Sequence, residues 1–155
     1  MMLMYNIHLK WERDTKDFQY DTYNRKHTVF FYGGPKIEIN SSTHFIRNPQ
    51  FHCPEELLIA SLSSCLLLTF LSVCAHEKYI PNSYLAQGYC HLDEKEKMIS
   101  DIVLSPVISF EETNKPDNKT LNELFKKAHD QCFIANSLKT PIRINPQFAD
   151  DQTNN

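Results

Sequence analysis

The chain has 155 residues, of which 41% are hydrophobic and 23% charged, a composition typical of one globular domain. With 16 Lys and Arg against 19 Asp and Glu, the formal net charge is −3. This mild acidity, without any basic run, argues against a nucleic-acid-binding protein. Only 3 glycines and 8 prolines exclude a collagen-like or low-complexity chain.

The cysteines and the N-terminus indicate a reducing compartment. Residues Met1 to His8 lack the basic start, long apolar core and cleavage site of a secretory signal. The 5 cysteines cannot all pair within one chain and form no CxxC motif; they are Cys53, Cys65, Cys74, Cys90 and Cys132. We therefore expect free thiols and a cytoplasmic protein.

The first zone, Tyr5 to Asn40, is rich in aromatic and β-branched residues. Apolar and polar residues alternate around Ile7, in Phe18-Gln19-Tyr20, from His27 to Tyr32 and from Lys36 to Ile39. Gly33-Gly34 separates the last two segments, as in a hairpin turn. The pattern predicts a small antiparallel sheet.

The second zone follows a polar loop, Ser41 to His52, and is a long helix. Proline and carboxylates in Pro54-Glu55-Glu56 are typical of a helix start. Leu57 to Ala75 has no charge and is long enough to span a bilayer. However, it carries a stripe of small polar residues at helical spacing, from Ser61 to Ser72, and lacks flanking Trp or Arg anchors. A buried central helix is favoured over a membrane span.

The third zone predicts two strands, Ser83 to Leu92 and Ile99 to Phe110, joined by the charged turn Asp93 to Lys97. Thr120 and Glu123 have the spacing of a capping box, and apolar residues recur at helical period from Leu121 to Ala135. A last strand, Pro141 to Ile144, precedes a polar tail. We predict one α+β domain over residues 1–149 and a disordered tail over 150–155.

The central helix is apolar nearly all round, so a sheet of this size leaves one face uncovered. A second subunit is the simplest cover, and a homodimer is expected.

Two cysteines are candidates for chemistry. Cys65 lies in the middle of the long helix, and Cys132 is expected on the second helix, on the same face as His129. A Cys–His pair suits nucleophilic catalysis or, with Cys65 and a carboxylate, a zinc site, whereas a buried cysteine is usually only a small apolar residue. Cys53, Cys74 and Cys90 are interpreted as structural. Spacing alone leaves these alternatives open.

The segments around these cysteines resemble a known family. Pro54-Glu55-Glu56-Leu57-Leu58 followed by Ser63-Ser64-Cys65 is similar to one signature of the OsmC-like family, which includes the organic hydroperoxide resistance proteins. The run from Ala128 to Ser137, centred on Cys132, resembles its second signature. Arg25, followed by Gly33-Gly34, is similar to an N-terminal element of one branch. The resemblance covers about Trp11 to Ile144.

This resemblance implies an intertwined homodimer, with antiparallel sheets wrapped around two central helices. It implies thiol-dependent reduction of organic hydroperoxides with an external dithiol as reductant and without a cofactor. By position, Cys65 matches the cysteine that attacks the peroxide and Cys132 the resolving cysteine. Glu55 matches a family carboxylate that engages a catalytic arginine, for which Arg25 is the candidate.

Three positions depart from the family pattern and indicate its broader OsmC branch. Cys53 stands where Asn is usual, Leu66 where many relatives have His, and Phe133 where the dedicated hydroperoxide proteins have Pro. The rival hypothesis is a non-catalytic dimer that binds a small apolar ligand and keeps its thiols idle.

Helix geometry adds one expectation about Glu55 and Cys65. In a continuous helix they are separated by about 15 Å along the axis and about 80° around it. Neither a carboxylate nor one arginine bridges that span easily. We therefore expect Arg25 and Glu55 to act on Cys65 of the other subunit.

Overall fold

The computed structural model describes residues 3–40 and 50–150. The chain forms two compact units, Met1–Leu57 and Leu58–Asn155. Strands and helices follow one another in the α+β order that the sequence predicts. Most of the predicted polar loop and of the predicted C-terminal tail lies outside the described residues, although Asp150 is described and pairs with Lys115 at 2.9 Å.

The first unit contains a three-stranded antiparallel sheet. Its strands are β1 (Ile7–Lys10), β2 (His27–Phe31) and β3 (Lys36–Ile39), in the order β1-β2-β3. Gly33 and Gly34 form the turn between β2 and β3 with φ of 89° and 108°, a conformation that glycine adopts without steric cost. The predicted sheet and its glycine hairpin are confirmed.

The predicted strand at Phe18-Gln19-Tyr20 is wrong, because this segment forms turns. The amides of Thr22 and Tyr23 both donate to the carbonyl of Gln19, at 3.1 and 3.0 Å. The Thr22 hydroxyl also donates to the Asp17 carboxylate at 2.7 Å. Such local hydrogen bonds compete with strand pairing, and alternation of apolar residues cannot reveal them.

The long helix α1 runs from Pro54 to Glu77. Glu56 accepts a hydrogen bond from the Cys53 amide at 3.3 Å, which satisfies one free donor at the helix start. One face is buried; its residues are Leu62, Leu66, Phe70, Val73 and Cys74. The opposite face is open, and Leu68 is 66% exposed. By length and composition alone, α1 could also cross a membrane.

The second unit is built on a long hairpin. Strands β4 (Pro81–Asp93) and β5 (Met98–Phe110) pair antiparallel, close to the predicted bounds. Two short strands, β6 (Ile142–Ile144) and β7 (Gln147–Phe148), then pair parallel to β5. Parallel pairing of β6 with β5 is possible because two helices lie between these strands and provide the long connection that a parallel pair requires. Strand β7 has only two residues, too few for a detectable sequence pattern.

The second helix, α2, runs from Asn118 to Asp130, and its predicted start at Thr120 is wrong. The Asp117 carboxylate accepts a hydrogen bond from the Thr120 amide at 2.7 Å, so Asp117 is the N-cap. Asp is a stronger N-cap residue than Thr, and it lies three residues before an amide it can bind. Hydrogen bonding by Asp117 thus overrides the capping box expected from Thr120 and Glu123.

The core of the second unit joins α1, β5 and α2. Phe70 of α1 stacks on Phe125 of α2 with ring centroids 4.2 Å apart, and meets Phe110 of β5 edge-on at 6.5 Å. These rings belong to one cluster of buried side chains that also includes Cys74 and Cys132. The cluster fixes α1, which carries Cys65, and it includes Cys132 itself.

Gly88 on β4 allows close packing in this core. A Cβ at this position would lie 2.7 Å from Leu104 Cδ2 and 2.9 Å from Ile59 Cγ2. We expect Gly88→Ala to lower the free energy of unfolding by about 1–3 kcal/mol, because these side chains would have to move. Urea denaturation of the wild type and the variant measures this loss of stability. In an Ile59→Ala or a Leu104→Ala background the penalty should shrink, and an unchanged penalty in both would contradict the packing explanation.

Candidate functional site

Cys65 lies near the middle of α1 and is half-buried. Its side chain packs against the buried cluster of the second unit. The hydroxyl of Thr69, one turn further along, donates to the backbone carbonyls of Cys65 and Leu66 at 3.1 and 3.0 Å. Core packing therefore holds the Cys65 thiol on a rigid helix while part of the residue stays open to solvent.

Cys132 lies at a break between two helices, so its predicted place on the second helix is wrong. Helix α2 ends at Asp130, and Cys132, with φ −80° and ψ 110°, is the N-cap of the short helix α3 (Phe133–Ser137). The Cys132 sulfur accepts a hydrogen bond from the Ala135 amide at 3.5 Å. The expectation that His129 shares a helix face with Cys132 fails for the same reason.

The two thiols are neighbours in the second unit, and neither forms a disulfide. Burial raises the pKa of the Cys132 thiol, and hydrogen bonding from the Ala135 amide opposes this rise. The adjacent Cys65 thiol raises the Cys132 pKa further, both as a hydrogen-bond partner and through its charge. Cys132 has no exposed surface, whereas Cys65 is half-buried. A solvent-borne reagent therefore meets Cys65 first.

The other thiols lie in different surroundings. Cys74 is fully buried, and burial raises its pKa to about 11. A thiol with so high a pKa is a poor nucleophile at neutral pH, which agrees with the interpretation of Cys74 as a structural residue. Cys53 lies at the start of α1, and burial also raises its pKa.

Arg25 belongs to the first unit, where two tyrosines hold it. Its guanidinium donates to the carbonyls of Tyr20 and Tyr23. It also lies over the Tyr23 ring, 3.9 Å from the centroid, and 5.3 Å from that of Tyr20. Stacking and main-chain hydrogen bonds fix the cation without neutralising its charge.

Glu55 lies in the same unit at the first turn of α1. An open cavity of about 430 Å³ is lined by Arg25 and by Pro54, the residue before Glu55. One Glu55 carboxylate oxygen is buried without a hydrogen-bond partner among the described residues. No ion pair joins Arg25 to Glu55 within residues 3–40 and 50–150, so their predicted contact stays a prediction. The Cys53 thiol does contact Glu55. The sequence could have suggested this contact, because Cys53 directly precedes Pro54-Glu55.

The structure thus brings together Cys65 and Cys132 in one unit and places Arg25 and Glu55 in the other. In the part of the chain that the structure describes, no three His, Cys, Asp or Glu side chains cluster as metal ligands. The chemistry available to the cysteine pair is thiol oxidation, with one accessible sulfur beside a buried one.

Comparison with solved structures identifies the fold. An OsmC-like protein of unknown function from Vibrio cholerae is 35% identical, with a TM-score of 0.82, over 94% of this chain and 99% of that one. An OsmC-like protein from Mycoplasma pneumoniae is 15% identical, with a TM-score of 0.75, over 96% and 99% of the two chains. An organic hydroperoxide resistance protein from Elizabethkingia anophelis is 18% identical, with a TM-score of 0.65, over 96% and 98%.

Sequence comparison agrees. Among proteins with a curated description, none matches this sequence significantly. The family model described as OsmC-like protein matches residues 48–147, a span that contains Glu55, Cys65 and Cys132. Together with the relative from Vibrio cholerae, this match shows that the chain belongs to the OsmC-like family.

Proposed function

We propose that this protein is a cysteine-based peroxidase that reduces organic hydroperoxides at the expense of an external dithiol. The observation that carries the proposal is the pair of adjacent free thiols with unequal exposure, Cys65 half-buried and Cys132 fully buried. Membership of the OsmC-like family supports a role in peroxide or stress defence. We place the reaction in the cytoplasm, where thiols stay reduced.

The reaction uses the two sulfurs in turn. The Cys65 thiolate attacks the terminal peroxide oxygen, so that an S–O bond forms, the O–O bond breaks and the alkoxide leaves as alcohol after protonation. Cys132 then attacks the Cys65 sulfenic acid, forming a disulfide and releasing water. Exchange with an external dithiol restores both thiols and leaves that dithiol oxidised.

The surroundings of Cys65 favour an alkyl substrate over hydrogen peroxide. Leu62 and Leu66 flank it on α1 and are buried, and the cluster behind them is apolar. An apolar lining gains free energy from an alkyl or aryl group, which hydrogen peroxide does not supply.

We assign the cationic part of the site to Arg25, with Glu55 as the carboxylate that holds it. The buried, unpartnered oxygen of Glu55 and the fixed charge of Arg25 near Pro54 support this assignment. Because Glu55 and Cys65 lie about 15 Å apart along one helix, we propose that each site uses Arg25 of the opposite subunit in a homodimer. The exposed apolar face of α1, with Leu68 and Leu71, supports such a dimer.

The function is tested by the dithiol-dependent consumption of tert-butyl hydroperoxide and of hydrogen peroxide by the wild-type protein. We expect catalytic turnover of both, with a kcat/KM about ten-fold or more higher for the alkyl hydroperoxide, since the apolar surround binds its alkyl group. If neither small nor lipophilic dithiols support turnover, the peroxidase function is refuted and the ligand-binding alternative is favoured.

Removing the resolving thiol should change the fate of Cys65. In Cys132→Ser the first oxidation still occurs, but the sulfenic acid lacks its partner and proceeds to sulfinic acid under excess hydroperoxide. Mass spectrometry of the Cys65 peptide measures this. Cys90→Ser, which removes a half-buried thiol from β4, is the control and should resist over-oxidation like wild type. If Cys132→Ser resists over-oxidation as well as wild type does, Cys132 is not the resolving cysteine.

A further inference from the structure

A second candidate site lies between α2 and β6, in the second unit. It is an open groove of about 260 Å³. Its lining is partly apolar and partly polar: the apolar residues are Phe125, Ile142, Ile144 and Pro146, and the polar ones are Asn122, Lys126 and His129. None of these residues belongs to the proposed peroxidase machinery.

The polar side of the groove comes from one face of α2. Residues 122, 126 and 129 follow the spacing that places side chains on one face of a helix. Lys126 is exposed, and no carboxylate of the described residues lies within 4 Å of its ammonium. Lys119 and Lys127 on the same helix differ, because each pairs with a glutamate. Lys126 therefore offers a positive charge that no described side chain neutralises.

His129 and Asn122 add further polar groups. The His129 ring is half-buried, and its Nδ1 lies 3.8 Å from the adjacent Asp130 carboxylate. The Asn122 side-chain amide donates to the Asn118 carbonyl at 2.7 Å and keeps a second N–H for another acceptor. No carboxylate is among the residues that line the groove.

The β6 side supplies the apolar contact. Ile142 and Ile144 face the groove, while Arg143 between them pairs with Asp101 at 2.7 Å on the other face of the sheet. An inorganic anion would leave this apolar surface uncovered, and a neutral hydrocarbon would leave the Lys126 charge unused. A ligand with an anionic head and a short apolar chain matches both surfaces.

We propose that this groove binds an organic monocarboxylate with a short apolar chain, its carboxylate on Lys126 and its chain on Ile142 and Ile144. The volume equals that of roughly nine water molecules at about 30 Å³ each, enough for a ligand of about ten non-hydrogen atoms. Octanoate has this size and is a suitable probe. The proposal does not depend on the peroxidase reaction, because binding is measured without any peroxide.

The experiment titrates the full-length protein with octanoate and follows the isoleucine methyl signals by NMR. We expect saturable shifts of the Ile142 and Ile144 methyl signals. Octanoate should bind Lys126→Gln about five-fold more weakly than wild type, which is the effect expected from the loss of one partly exposed ion pair. Lys119→Gln removes a lysine of the same helix outside the groove and should bind octanoate like wild type. Octanamide, the neutral isostere, should bind wild type and Lys126→Gln equally.

Three results would overturn the proposal. These are the absence of saturable binding at millimolar octanoate, shifts centred on residues around Cys65 instead of β6, and equal octanoate affinity of Lys126→Gln and wild type.

Discussion

Replacing Cys65 by Ser is expected to abolish hydroperoxide turnover while the protein stays folded. A serine hydroxyl does not ionise near neutral pH and does not attack a peroxide, so the first step is lost. We expect the dithiol-dependent rate of tert-butyl hydroperoxide consumption to fall by a factor of about 1000 or more. Because Cys65 is only half-buried, the exchange should cost less than about 1 kcal/mol of folding free energy.

Cys74→Ser is the matched control on the same helix. Cys74 is fully buried, and burial raises its pKa to about 11, so it should take no part in turnover. The rate should stay within about two-fold of wild type, whereas stability should fall by about 1–3 kcal/mol because a hydroxyl is buried. Full activity in Cys65→Ser, or an inactive but folded Cys74→Ser, would refute the assignment of the attacking thiol.

Arg25→Ala is expected to lower the turnover rate by about 100-fold, because the site loses the cation that favours the thiolate and orients the peroxide. The more informative experiment mixes Arg25→Ala subunits with Cys65→Ser subunits, each inactive alone. If Arg25 acts across the dimer, one of the two sites in each heterodimer has both residues. Random exchange makes half of the dimers mixed, so the mixture should regain about one quarter of wild-type activity.

The control for this experiment is subunit exchange itself. Native mass spectrometry with a charge-tagged partner subunit measures the extent of exchange. A mixture of Cys65→Ser and Cys132→Ser subunits serves as a comparison, because Arg25 stays intact in both. If exchange is complete and the Arg25→Ala and Cys65→Ser mixture stays as inactive as its parents, Arg25 does not act in trans.

Local sequence patterns predict much of the fold. The glycine pair, the helix start at Pro54 and the long hairpin of β4 and β5 all follow from residues close together in the chain. Patterns fail where a competing local interaction decides the structure. Hydrogen bonds around Gln19 replace the strand expected at Phe18, and the Asp117 carboxylate takes the N-cap expected from Thr120.

The sequence names candidate residues for the site but does not give their geometry. Helical periodicity runs on from Leu121 to Ala135, yet the chain breaks after Asp130, and Cys132 instead caps α3. This break determines the environment of the resolving candidate, and no periodic pattern encodes it. Likewise, the sequence names Arg25 but does not show that Tyr20 and Tyr23 hold its guanidinium.

The pairing of Cys65 with Cys132 is tested most directly by mass spectrometry of the wild-type protein after one equivalent of tert-butyl hydroperoxide, with peptides mapped without reduction. We expect a disulfide between Cys65 and Cys132, with Cys53, Cys74 and Cys90 still as thiols. A disulfide that uses any of these three cysteines, or an oxidised Cys65 beside a free Cys132 thiol, would contradict this pairing.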